Sequence, residues 1–510
     1  MKKILYKISG IVAMSSLLLT SSCTKDFQEI NTDPNNTINA LPQQLLAPAL
    51  VDMMTYNQIR NRTFNNELMQ VTVDMSDSEG KVFRYDYRAS WADYLWNGWY
   101  SQLTNFKDIF KISSEGINYN QSYMGISLIC QSWVYSLLTD TYGDVPYFQS
   151  NEARDSGIYE PAFTPQKEIY LDIFKQLERA DTLLRLNTAI TASSDPVYNG
   201  NISRWRKFGN SLYLRLLLRV SGKAEMSQFV QNKIREIVEN PSLYPIMANN
   251  DESAVLRWTG AAPYTSPLLG VREQDFRAPG IAEFFIDNLI IWNDPRIDLT
   301  YGTGSPTVTN RWGIAPFQGS IAGVKSGYAP GENPPKKSYF YSITHNGGTG
   351  PTLMNDPMTG IIMNYAELQF ILAEAAAKGW ILGSAETYYE KGVEASIKYW
   401  LPAWPVNVKP YLEQADMEWD DSETLEEKME KIHLQKYYAL FLVDLQQWFE
   451  YRRTGHPVLP KGAGLRNNGE MPARVTYPVY VQSTNPTNYK LAVAVQGPDL
   501  ISTLVWWQKP

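Results

Sequence analysis

Cysteine and histidine carry the chemistry most easily read from spacing, and both are scarce here: Cys23 and Cys130, with histidines at 345, 433 and 456. Cys23 has the stronger context. It follows "SLLLTSS" (16–22), behind Lys2, Lys3, Lys7 and an apolar run from Ile8 to Leu19, which is the layout of a secretory leader. That run is shorter than the roughly 20 residues needed to span a bilayer. Ser21 and Ser22 are small, as a peptidase cleft requires, so residues 1–22 are expected to be removed and the Cys23 thiol acylated. Thr20 stands where such sites ordinarily carry Leu, and the alternative is an ordinary cleaved leader with an incidental cysteine. At about 0.8 kcal/mol per buried methylene, two or three acyl chains anchor a protein stably where one does not.

With Cys23 acylated, Cys130 has no disulfide partner, and its setting "LICQSWVYSLL" marks a buried small hydrophobe. Scattered histidines without paired cysteines give no zinc pattern, and "DMSDSEG" (74–80) lacks EF-hand spacing. No cofactor or metal is therefore expected, although carboxylate-built calcium sites stay open. Neither G-x-S-x-G nor H-E-x-x-H occurs, so no catalytic residue is assigned. A hydrolase using an acidic pair is the minor alternative, since carboxylate separation cannot be read from sequence.

The formal net charge is −7, and loss of the three leader lysines takes it to −10 without any lysine-rich block, which argues against nucleic acid as a partner. Aromatic residues make up 13% of the chain, with 15 Trp and 32 Tyr, a supply that suits a large core and also rings that stack on sugar faces. Length alone would suit two or three domains. Residues 23–42 are polar, Asn-rich and broken by Pro34 and Pro42, and read as a tether.

Helical signals dominate after that. In "FTPQKEIYLDIFKQLERADTLLRL", Thr164 reads as an N-cap with Pro165 at the first helical position, and Ile169, Ile173, Leu177, Ala180 and Leu184 form one face. "NYAELQFILAEAAAKG" offers an Asn364/Glu367 capping box and a Gly379 stop, and with "SAETYYEKGVEASIKYW" makes a helical hairpin whose alanines permit close packing. The pair resembles a tetratricopeptide unit, but W-x-x-L-G-x-x-Y and a fixed period are absent. A third helix is expected from a Thr424/Glu427 capping box to Gly455, with Arg452 and Arg453 in its last turn bonded to groups of the fold. In "YGDVPYF", Gly143, Asp144 and Pro146 read as a tight structural turn. Residues 299–360, crowded with Gly, Pro, Ser, Thr and Asn, read as a long functional loop region.

Six stretches taken in order resemble the SusD/RagB family of surface nutrient-binding lipoproteins, in particular its SusD-like-2 branch. They are "NTDPNN", "TDTYGDVPYFQ" (139–149), "WRKFGNSLYLRLLLRVSG" (205–222), "AELQFILAEAAAKG", "QKYYALFLVDLQQWFEYRRTGHPVLP" and "MPARVTYPVYVQSTNPTNY". The resemblance implies a mainly α fold over residues 43–510: a single domain on tetratricopeptide-like helix pairs with irregular ligand-binding loops. It implies a non-enzymatic lid on a SusC-like TonB-dependent transporter barrel, lipid-anchored to the outer membrane and facing outward, that captures an oligosaccharide for import. Peptide cargo is the alternative. Lys25 and Asp26 resemble the short charged signal that directs such proteins to the surface.

Family members draw ligand contacts from the early region and the loop-rich middle. The densest aromatic cluster here is "RYDYRASWADYLWNGWYSQL" (84–103), where on a helix Trp96 and Tyr100 share a face with Leu103 while Trp91, Asn97 and Trp99 fall elsewhere. The expected ligand-binding residues are thus Arg84, Trp91, Trp96, Asn97 and Trp99, with Trp312 and Tyr328 from the loops. Trp312, between Arg311 and Gly313, is expected to have little scaffold to pack against.

Overall fold

The periodic apolar faces fold as their spacing dictates. The computed structural model describes residues 40–297, 310–348, 350–404 and 407–509, so the expected leader, Cys23 and nearly all of the tether lie outside the described residues. The main helices are α1 (Pro42–Arg60), α2 (Trp91–Ser113), α3 (Gln121–Tyr142), α4 (Gln166–Leu184), α5 (Ile202–Arg219), α6 (Ser227–Glu239), α7 (Glu283–Ile291), α8 (Tyr365–Ala377), α9 (Ala385–Trp400), α10 (Leu425–Ala439), α11 (Gln446–Thr454) and α12 (Pro486–Gln496). From α1 to α6 each helix packs on the next, α8 and α9 form a hairpin, and α8 also packs on α5 and α10. The fold is mainly α, built from helix pairs, and residues 42–510 gather into one compact unit.

On α4 the five residues of the expected face are all buried. The start differs from expectation. Pro165 is itself the N-cap, with φ −56° and ψ 138°, and Thr164 lies in a strand before it. Proline's fixed φ suits either position, and pairing of Thr164 with Val145 selects the later start. On α8 the Asn364 side chain accepts from the Glu367 N–H at 2.8 Å, but the reciprocal half of the box is absent. The buried Glu367 carboxylate instead takes two 2.6 Å bonds from Arg215, joining α5 to α8. A bidentate guanidinium outbids a backbone N–H for a buried carboxylate.

The expected single helix from 424 to 455 is two. Thr424 and Glu427 do form the reciprocal box at the start of α10, and Gly455 ends α11 at φ 77°. Between them Leu442 and Asp444 adopt positive φ, 68° and 29°. Asp444 is the cause: its Oδ1 accepts from Leu445 N–H at 2.5 Å and from Gln446 Nε2 at 3.0 Å, while its carbonyl accepts from Asn61 at 2.7 Å. A short acid that caps the following backbone competes with helix continuation. Arg452 and Arg453 bond groups of the fold as expected: Arg452 the carbonyls of Asp140 and Ala473, Arg453 the carboxylates of Glu374 and Glu450.

Four antiparallel strand pairs tie distant loops together: β1 (Thr72–Val73) with β5 (Gly280–Ile281), β2 (Val145–Pro146) with β3 (Phe163–Thr164), β4 (Ala254–Val255) with β8 (Ile361–Met363), and β6 (Ile314–Ala315) with β7 (Tyr339–Phe340). The turn at Gly143 feeds β2. Its φ is 86°, and a Cβ there would lie 1.8 Å from Gln496 Oε1, which accepts from Asp144 N–H at 2.6 Å; only glycine fits.

Candidate ligand-binding site

The β2–β3 pair positions a groove of about 230 Å³ between the start of α2, the loop ahead of β3 and the segment leading into α12. Its inner wall is aromatic. Trp96 lies 5.0 Å from Tyr100 and 5.1 Å from Tyr142 between ring centres, and Phe163 lies 5.2 Å from Tyr477. Tyr100 is fixed by donating to the Pro146 carbonyl at 2.7 Å. At the rim, Tyr159 is 79% exposed and Tyr480 40% exposed, and the Tyr480 hydroxyl donates to Asn97 Oδ1 at 2.5 Å.

Amides complete the groove. Asn151, at φ 62°, donates from Nδ2 to Tyr100 O at 2.7 Å and Thr104 Oγ1 at 2.8 Å, which leaves its buried Oδ1 without a partner. Asn485 donates to Pro161 O at 2.7 Å and Asn488 to Glu160 O at 3.0 Å, pinning the Tyr159 loop to the start of α12. Among the described residues, no Asp, Glu, Lys, Arg or His lines the groove. Burial raises the Tyr100 phenol well above its ordinary value, and burial with nearby Asp93 raises that of Tyr480, so both remain neutral donors. Flat rings with uncharged donors and acceptors suit a neutral, hydroxyl-rich ligand.

Two larger hollows differ in chemistry. One of about 330 Å³ adjoins the groove at Asn151 but is lined by charges that pair among themselves, with Lys111–Asp155 at 2.7 Å and Arg154–Asp108 at 2.5 Å. Another of about 470 Å³ is lined by Arg257, Arg311 and Lys398. A neutral ligand would have to compete with those charges for hydrogen bonds.

Of the seven residues expected to bind ligand, the structure places Trp96 in the groove wall and Asn97 beside it, bonded to the rim residue Tyr480. Trp91 is half-buried at the start of α2, with the Arg60 guanidinium 4.4 Å from its ring. The other four are corrections. Trp99 is fully buried and donates to Asn57 at 2.8 Å. Arg84 is buried against Tyr328, donating to its carbonyl at 2.9 Å and to Asp77 at 2.9 Å, with Tyr328 itself 5% exposed; two residues from distant segments satisfy each other. Trp312 is fully buried, stacked on Phe285 at 5.7 Å and 4.9 Å from both Phe441 and the Arg296 guanidinium. The Gly-rich context misled because β6–β7 pairing folds the loop inward, and Gly313, at φ 68°, sits where a Cβ would meet Pro351 O at 2.4 Å.

Tyr159, Tyr480, Asn151 and Asn485 escaped the sequence reading. Asn151 and Tyr159 lie where no motif marked the sequence, and Tyr480 and Asn485 lie together in "MPARVTYPVYVQSTNPTNY", which carried a signal only as a family segment. The fold also assembles donor sets that spacing did not reveal. Glu374, His433 and Glu450 converge within 4.8 Å, as do Glu426, Glu430 and His456. The first set is already neutralised, with Arg453 bonded to both carboxylates and Lys436 to Glu450 at 2.6 Å, and burial lowers the His433 pKa to about 3, so the ring is neutral. The second joins exposed Glu426 and Glu430 of α10 to half-buried His456 just after α11, and its residues could hold an ion. Neither set shares a residue with the groove.

Among the described residues no helix is long and apolar enough to cross a membrane. The SusD-like 2 family profile, described as starch-binding and associating with the outer membrane, matches residues 34–478. Comparison with curated proteins gives no match. Among solved structures, a SusD homologue from Bacteroides fragilis aligns with TM-score 0.74 at 25% identity, covering 92% of this chain and 100% of its own. A chitin-binding SusD homologue from Flavobacterium johnsoniae aligns with TM-score 0.74 at 20% identity over 92% and 98%. A Bacteroides uniformis SusD homologue gives 0.74 at 23% over 91% and 99%. The chain belongs to the SusD-like 2 family, described as starch-binding and associating with the outer membrane.

Proposed function

We propose that this protein captures a neutral oligosaccharide at the cell surface and delivers it to a partner TonB-dependent barrel for import. The observation that carries the reading is the uncharged groove at Trp96, where aromatic faces stand beside amides and hydroxyls. A pyranose ring would stack on Tyr159 or Tyr480 while its hydroxyls meet Asn97, Asn151 Oδ1 and Asn485, with Trp96 as backing. The starch-binding description of the family and the chitin-binding relatives support glucose- or N-acetylglucosamine-based cargo. Acylation of Cys23 would hold the domain on the outer leaflet, with residues 23–42 as the tether.

Calorimetry on residues 24–510 with maltoheptaose and chitohexaose tests the ligand class. Saturable binding of either, weakened in Tyr159→Ala and in Tyr480→Ala, is expected; binding confined to a peptide library would replace the sugar reading with peptide cargo. Product released from a bound glycan by pure protein would point to a hydrolase.

A further inference from the structure

A further cavity lies at the C-terminal end of α1, and several of its polar atoms are unsatisfied. Gln58, Asn66 and Thr72 line it, and they are 3%, 4% and 5% exposed. Gln58 Nε2 and Oε1, Asn66 Oδ1 and Thr72 Oγ1 all lack a hydrogen-bond partner within the protein. Buried polar atoms are costly without partners, and four of them around one hollow mark a place where a partner belongs. Apart from Arg62, the remaining wall is apolar, formed by residues such as Phe276, Leu353 and Phe441. About 30 Å³ is open to the centre of a water molecule, room for about two or three waters or one acetamide-sized group.

We infer that this cavity binds a small uncharged secondary amide. Gln58 presents one donor and one acceptor whichever way its amide is turned, so it can donate to the ligand carbonyl while Asn66 Oδ1 accepts from the ligand N–H. Thr72 takes either role, and the aromatic and leucine wall takes the methyl groups. A carboxylate would meet Gln58 Nε2 and the Arg62 guanidinium but would leave Asn66 Oδ1, an acceptor, facing an acceptor. An ammonium would face Arg62, which lines the cavity with its guanidinium 5.5 Å from the Phe276 ring centre and bonded to the Asp275 carbonyl.

The test is methyl NMR on the intact folded domain with labelled leucines, following Leu268, Leu353 and Leu442, which line the cavity. N-methylacetamide should shift these methyls saturably, whereas glycerol and acetate should not. Thr72→Val, which keeps the shape and removes the hydroxyl, should weaken the titration about fivefold, the loss of one neutral hydrogen bond. Gln58→Leu should abolish it, and if that variant fails to fold, Thr72→Val decides alone. Equal shifts with glycerol, no saturation with N-methylacetamide, an unchanged Thr72→Val titration, or a crystal structure with the amide present but only bridging waters in the cavity would overturn the inference. Tyr159→Ala should leave this titration unchanged, which separates its failure from failure of the sugar groove.

Discussion

At Tyr159 and Tyr480 the side chains stand partly in solvent with few protein contacts to lose, so substitution there should act on binding alone. Tyr159→Ala is expected to reduce affinity for a bound oligosaccharide about tenfold, the worth of one aromatic stack, with stability within about 0.5 kcal/mol of the parent. Trp312 should behave in the opposite way. It is enclosed by Phe285, Trp400 and Phe441, so Trp312→Ala should cost about 3–5 kcal/mol in urea unfolding. Any affinity that survives in the folded fraction should match the parent. The sequence context of these two residues misleads in opposite directions: Trp312 sits among glycines and looks free but is buried, whereas Tyr159 sits beside an unremarkable "EPAF" and is exposed.

Between elements, the contacts that matter most are buried ion pairs joining α8, α10 and α11. Arg453 bonds Glu374 at 2.8 and 2.6 Å and Glu450 at 2.8 Å, and Arg219 approaches Glu450 at 3.1 Å. Burial alone would raise both glutamate pKa values, but Arg453 with Lys378, and Arg453 with Lys436 and Arg219, hold them well below 4.5. A depressed carboxylate contributes stability that is complete above its unfolded value and lost as pH falls through its folded value. Thermal melting is therefore expected to weaken progressively below about pH 4.5. Glu374→Gln should be destabilised by about 3–5 kcal/mol at pH 7, because Arg453 loses a buried partner, and its acid dependence should be shallower.

The same elements show what the sequence makes legible. The buried face of α4 follows local periodicity, and the α10 start follows a two-residue signature, so both can be read from a short window. The break at Asp444 combines its own local bonds with a bond from Asn61, and the missing half of the α8 box goes to Arg215. Both partners lie far away along the chain, where no local pattern reaches. The groove divides in the same way. Trp96 and Asn97 come from one conspicuous aromatic segment, while Asn151, Tyr159 and Tyr480 join them only through the β2–β3 pair and the Asn485 and Asn488 pins.

For the whole molecule, the proposal joins a lipid tether, a helical body and a groove for neutral sugar into one capture device. Cys23→Ala should release the protein from the membrane fraction into the soluble one while leaving glycan affinity unchanged, as read by fractionation and calorimetry. Detergent extraction of the parent should co-purify a TonB-dependent barrel. The most direct measurement is a paired titration of the soluble domain and its Tyr159→Ala, Tyr480→Ala double variant with maltoheptaose and chitohexaose, alongside a melting curve for each protein. The account predicts that at least one glycan binds the parent and that the variant loses at least about tenfold in affinity with an unchanged melting temperature. Equal affinity in the two proteins, or no binding of either glycan to the parent, would contradict it.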